Sequence, residues 1–129
     1  MRRKPINIVE KTWGSEEWIV NNELYCGKIL RIKEGHYTSW HYHELKTETF
    51  QVLKGALKVY YSEYDDFPLY RKRYKLGTYP RYTILQKGEC FDVPIRMRHR
   101  LEAYKGKVKF LEISTHHEDS DSIRLIKGD

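Results

Sequence analysis

Two short segments carry metal-binding residue types at spacings a strand can use. In the first, Gly35 is followed by five residues, His41-Tyr42-His43, four residues, Glu48, six residues and Gly55. Residues two apart in a strand share a face, so His41 and His43 point the same way. Glu48 shares its face with Phe50 and Val52, and past the Lys54-Gly55 turn Leu57, Val59 and Tyr61 form another apolar face. Glu48 is thus aimed inward, where an unpaired carboxylate is costly or has to stay protonated. Two imidazoles and a divalent cation remove that cost. The second segment runs Gly88, five residues, Pro94, four residues, His99, and His99 shares its face with Leu101 and Ala103. Three histidines and a carboxylate on neighbouring inner faces make a mixed nitrogen and oxygen site with open positions. Such a site suits Fe(II), Mn(II), Ni(II), Zn(II) or Co(II). A lone core histidine is normally structural, but His41, His43, Glu48 and His99 at this spacing are read as metal ligands.

Other residues are weighed against plainer roles. The alternation of Val108, Phe110 and Glu112 against Lys109, Leu111 and Ile113 places Glu112 inward. There it is either a general base near the metal or a partner that orients a histidine. Lys46 lies between two ligands, and a solvent-exposed loop lysine is the preferred reading over a grip on substrate. Arg96, Arg98 and Arg100 share a face if their stretch is extended; like the basic run Arg71 to Lys75, they read as a solvated face. His116-His117-Glu118-Asp119 reads as a polar tail, and Trp40 and Tyr42 as packing groups that point away from the metal.

The elements that must position these groups are short. The chain has 129 residues, 40% hydrophobic and 33% charged, which allows one domain, residues 1–129, with a core of its own. Glycines separate runs rich in Val, Ile, Tyr and Phe, and strands are expected near 17–20, 24–33, 37–43, 48–54, 56–61, 82–86, 90–93, 99–104 and 108–114. No stretch keeps a 3.6-residue apolar period, so the class is all-β, a sandwich or closed barrel. Residues 62–81 read as a long basic excursion between two strands.

No apolar run approaches the roughly 20 residues of a membrane span, and no h-region follows the basic start, so neither a span nor a signal peptide is expected. Cys26 and Cys90 read as free thiols in a reducing cytoplasm. The formal net charge of +6 attracts anions. Basic residues interleaved with tyrosines are one way to bind single strands, but no binding motif accompanies them and no nucleic acid is expected.

The pattern G-x5-HxH-x4-E-x6-G followed by G-x5-P-x4-H resembles the two motifs of the cupin superfamily. The first (35–55) is matched at Gly35, His41, His43, Glu48 and Gly55. The second (88–103) is matched at Gly88, Pro94 and His99, with Arg96 in place of a usual glycine and Ala103 in place of a frequent asparagine. The resemblance implies a double-stranded β-helix, a jelly-roll cupin barrel, and a homodimer. Val9-Glu10-Lys11-Thr12-Trp13-Gly14-Ser15, His99-Arg100-Leu101-Glu102, and Glu118-Asp119 through Ile123-Arg124-Leu125 are similar to flanks of the mannose-6-phosphate isomerase and mannose-1-phosphate guanylyltransferase cupin domains. Those enzymes usually carry Gln where this chain has His41, often carry Arg where it has Lys46, and have a tighter hairpin than 62–81.

What the resemblance implies is a sugar or sugar-phosphate isomerase or epimerase. The divalent metal polarises a small-molecule substrate, Glu112 moves a proton, and Lys46 or Arg124 holds the anionic end. Arg124 alternatively pins the tail by a salt bridge. Nothing in 129 residues resembles a nucleotidyltransferase domain. The rivals are a non-haem iron dioxygenase, for which the same ligands leave two open positions, and a non-catalytic sugar-binding cupin.

Overall fold

The computed structural model describes residues 3–62 and 81–129. Among the described residues eleven strands follow one another: β1 (Ile8–Lys11), β2 (Gly14–Asn21), β3 (Cys26–Ile32), β4 (Trp40–His43), β5 (Glu48–Lys54), β6 (Leu57–Ser62), β7 (Arg81–Leu85), β8 (Cys90–Val93), β9 (Arg98–Ala103), β10 (Val108–Ser114) and β11 (Ser122–Ile126). They form a six-stranded sheet in the order β1-β2-β3-β10-β5-β8 and a five-stranded sheet in the order β11-β4-β9-β6-β7. All pairings within them are antiparallel. This is the expected all-β jelly roll. No helix among the described residues is long and apolar enough to cross a membrane.

Alternation builds the interior. Strands β3, β5 and β10 alternate buried residues with half-buried or exposed ones, as two-residue periodicity with one face inward requires. The buried rows change character from end to end. On β5 Phe50 and Val52 give way to Glu48, and on β9 Leu101 and Ala103 give way to His99. On β10 Val108 and Phe110 give way to Glu112, and on β3 Leu30 and Ile32 give way to Lys28. One end is therefore an apolar plug, in which Phe50 and Phe110 meet edge-on with centroids 5.6 Å apart. The other end collects the ionisable groups.

Two of the turns with left-handed backbone bear on the site. Gly55, the last residue of the first motif, has φ +83°, and a Cβ there would overlap the Lys107 carbonyl oxygen. Arg96 has φ +67°, where the resembling motif usually has glycine, so the turn keeps its shape with the wrong residue at a cost of about 1–2 kcal/mol. The Arg96 N–H donates to the His43 carbonyl at 2.7 Å, tying this turn to a ligand strand.

The periodicity missed β1, a short and mostly exposed strand in a hairpin with β2, and β11, whose partner β4 is remote, and it shortened β2. The expected excursion at 62–81 has its end residues Ser62 and Arg81 in β6 and β7; the rest of it, with Arg71 to Lys75, lies outside the described residues. The shared solvated face of Arg96, Arg98 and Arg100 is not observed. Arg96 is in the turn before β9, Arg98 is buried with its guanidinium 3.8 Å from the Tyr42 ring, and Arg100 lies over Tyr37. Stacking on tyrosine lets an arginine shed water along a sheet face.

Candidate metal centre

Strands β4 and β9 bring the histidines together. His41 and His99 are register partners, with ring centroids 4.4 Å apart, and His43 follows two residues on. A ligand nitrogen from each of His41, His43 and His99 falls within 4.8 Å of the others. His41 Nδ1 is 3.0 Å from the Ser39 carbonyl and His99 Nδ1 is 3.0 Å from the Met97 carbonyl. A carbonyl only accepts, so Nδ1 carries the proton in both rings and Nε2 offers its lone pair. Burial holds His41 well below the usual histidine pKa, and the other two rings add to it. Burial likewise takes His43 to about 4, against the pull of Glu48. Both rings are thus neutral, the state a metal needs.

Glu48 joins them at the start of β5. Its Oε1 is 3.6 Å from His43 Nε2, and its Oε2 is 3.2 Å from His99 Nε2. Neither Glu48 Oε2 nor His99 Nε2 makes a hydrogen bond, although both are buried. Two lone-pair atoms facing each other in a dry site are reconciled by a cation, so the donor set of three imidazoles and a carboxylate fits a divalent metal. Burial pushes the Glu48 carboxyl up, but the Lys46 ammonium against its Oε1 outweighs it and holds it below the usual carboxylate range, so it stays ionised.

Lys46 corrects the exposed-loop reading. It is 2% exposed, with Nζ 2.9 Å from Glu48 Oε1, 3.2 Å from Glu112 Oε2 and 2.9 Å from His117 Nδ1. Burial opposes its charge, but Glu112 and Glu48 hold its pKa above the ordinary lysine value. The loop bends inward because Asp121 accepts the backbone N–H groups of Glu44, Leu45 and Lys46 at 2.9–3.0 Å. Three donors that would otherwise lack partners are met by one carboxylate from the 3-10 turn Asp119–Asp121.

Glu112 is inward, as expected, and buried. Its Oε2 accepts from Lys46 and from Ser114 Oγ at 3.2 Å. Burial raises its pKa and the Glu48 charge adds to the rise, while Lys46 and Lys28 oppose it. Arg124, on β11 opposite His41, is exposed and lines the same cavity of about 500 Å³. Trp40 is buried, and Tyr42 carries Arg98 on its ring. Cys26 and Cys90 are both free thiols.

Sequence reasoning missed three groups here. Lys28 is as buried as Lys46, and its ammonium is 3.8 Å from the Trp18 ring centroid. His117, expected in a polar tail, lies edge-on to Trp18 and against Lys46. Asp121 had a signal, since it falls within the closing segment that resembles the isomerase flank. For Lys28 the inward phase of β3 was legible, but a lone lysine there gave no motif.

No family model matches the chain, and no curated protein matches it in sequence. Solved structures do match in shape. KdgF from Halomonas sp. superposes with TM-score 0.68 at 13% identity, over 88% of this chain and 91% of that one. The capsular polysaccharide assembling protein CapF from Staphylococcus aureus gives 0.74 at 16% identity, over 96% of this chain. A Bacillus subtilis oxalate decarboxylase gives 0.73 at 14%, over 93%. This chain spans about a third of the length of the latter two, 32% and 30%. At such identities the likeness is one of fold: the chain is built as a jelly-roll cupin barrel.

Proposed function

We propose that the chain is a metal-dependent isomerase or epimerase of a sugar or sugar phosphate, moving a proton between adjacent carbons. The observation that carries this reading is the position of Glu112. It is a buried carboxyl with a raised pKa on the wall of the cavity that the three histidines line. A cation on His41, His43, Glu48 and His99 would supply Lewis-acid polarisation of a substrate carbonyl or hydroxyl. Glu112 takes the proton from one carbon and returns it to the next, a task suited to a carboxyl tuned upward. Lys46 is a positioning residue, because its ammonium fixes Glu48 and Glu112 rather than a ligand. Arg124, exposed on the wall, draws an anionic substrate in.

A cavity of about 500 Å³ is of the size that holds a small metabolite, and the flanking resemblance supports a sugar. The homodimer and the cytoplasmic setting belong to the same proposal; exposed Ile8 and Val9 on edge strand β1 support the first. The test starts with elemental analysis of protein purified without a nickel column. Solvent deuterium exchange into a panel of aldose and ketose phosphates is then followed by NMR. Exchange that depends on the metal and falls about 10²–10⁴-fold in Glu112→Gln is the expected result. Stoichiometric iron with oxygen uptake would replace this reading by the dioxygenase, and absence of metal would leave a binding protein.

A further inference from the structure

The sheet order β2-β3-β10-β5 sets one inward row across the barrel. Trp18 is the register partner of Lys28, Lys28 of Glu112, and Glu112 of Phe50, the inward neighbour of Glu48. The two buried lysines of this end differ. Lys46 touches two carboxylates, whereas the Lys28 ammonium touches the Trp18 ring and makes no ion pair or hydrogen bond among the described residues, its charge reaching Glu112 and Asp119 only at longer range. Its cross-strand partner Glu112 gives Oε2 to Lys46 and Ser114 instead. A buried ammonium that lines a cavity with an aromatic face as its contact, and no carboxylate within ion-pair distance among the described residues, is completed by an anion. The charges agree. Four basic and four acidic side chains line the cavity, so a divalent cation leaves a surplus of positive charge that favours an anionic ligand.

We propose that Lys28 anchors an oxyanion of the substrate, a phosphate or a carboxylate, on the β3 wall of the cavity beside Trp18 and His117. Two strand spacings separate β3 from β5, about 10 Å, the span of a short sugar chain with a terminal oxyanion. Glu112, on the strand between, faces the carbons in the middle. The placement of the reacting end rests on the metal-site reading above; the anion grip of Lys28 does not.

The test is calorimetric titration of inorganic phosphate, gluconate and uncharged glucitol, with Trp fluorescence as a second readout. It is run on metal-loaded and chelator-treated protein. Wild type is expected to bind at least one of the anions, phosphate or gluconate telling which oxyanion is read. Lys28→Met, which keeps the aliphatic stem, weakens that anion by about tenfold or more at unchanged metal content. Lys28→Arg keeps the charge and stays within about threefold, which guards against a folding artefact. Trp18→Phe abolishes the anion-induced fluorescence change. Anion binding as tight in Lys28→Met as in wild type, or none in wild type, overturns the proposal. A Lys28-dependent anion in a protein that holds no metal sinks the isomerase reading and leaves this one standing.

Discussion

The Lys46 ammonium lies 2.9 Å from Glu48 Oε1, so one oxygen of a candidate metal ligand is already committed to a buried cation. The other, Oε2, faces His99. That division makes Glu48 a one-oxygen ligand and ties its orientation to Lys46, which also holds Glu112.

Removing Lys46 should therefore act on two carboxylates at once. Lys46→Met leaves Glu48 and Glu112 buried without their shared cation and is expected to cost about 3–5 kcal/mol in urea unfolding of the metal-free protein. Adding Glu112→Gln should recover part of it, since one of the stranded charges is then gone. Additive losses in the double variant would argue against the shared arrangement.

Metal removal should be visible in stability as well as in content. A metal present at a thousandfold excess over its dissociation constant adds about 4 kcal/mol, so chelation is expected to lower the melting temperature of wild type. His43→Ala with Glu48→Ala should hold no stoichiometric metal by elemental analysis and show no response to chelator. Retained metal in that double variant would rule out the ligand set.

Acid sensitivity of the metal-free protein follows from His43. Its pKa in the fold is about 4 against 6.5 for the free side chain, so between those values the unfolded chain binds a proton that the native one does not. Stability is complete above about pH 6.5 and falls as pH drops towards 4, by about 3 kcal/mol for this group. Urea midpoints measured across that window should slope accordingly, and His43→Asn should flatten the slope.

Asp121 offers a test remote from the ligands. Asp121→Ala strands the N–H groups of Glu44, Leu45 and Lys46 and frees the loop between two ligands. Metal affinity is expected to drop about 10–100-fold, as for other groups that orient a metal site. Calorimetric metal titration at unchanged native circular dichroism checks it.

At Arg96 the backbone itself is testable. With φ +67°, the stability order expected from denaturant unfolding is Gly at least equal to Arg, and both above Val. Gly and Val should differ by about 1–2 kcal/mol. A Val variant as stable as Gly would show that the turn relaxes.

Local alternation was enough to give the strands that carry the ligands and the phase of each. His41 with His43, Glu48 with Phe50, and His99 with Leu101 obey a period of two, which is local and needs no knowledge of partners. It also placed Glu112 inward. Strand β11 was not legible, because it owes its pairing to β4, distant in sequence, and register is a long-range property; β1, four exposed or half-buried residues in a hairpin with β2, carries no alternation to read. The same reason hid the chemistry of the lysines. Whether a lysine is solvated or buried depends on what crosses over it, and Lys46 is drawn in by Asp121, a residue of the far C-terminal turn. Lys28 is set opposite Glu112 and beside Trp18 by sheet order alone. Periodicity decides which way a side chain points; only the tertiary structure decides which charges share the space it points into.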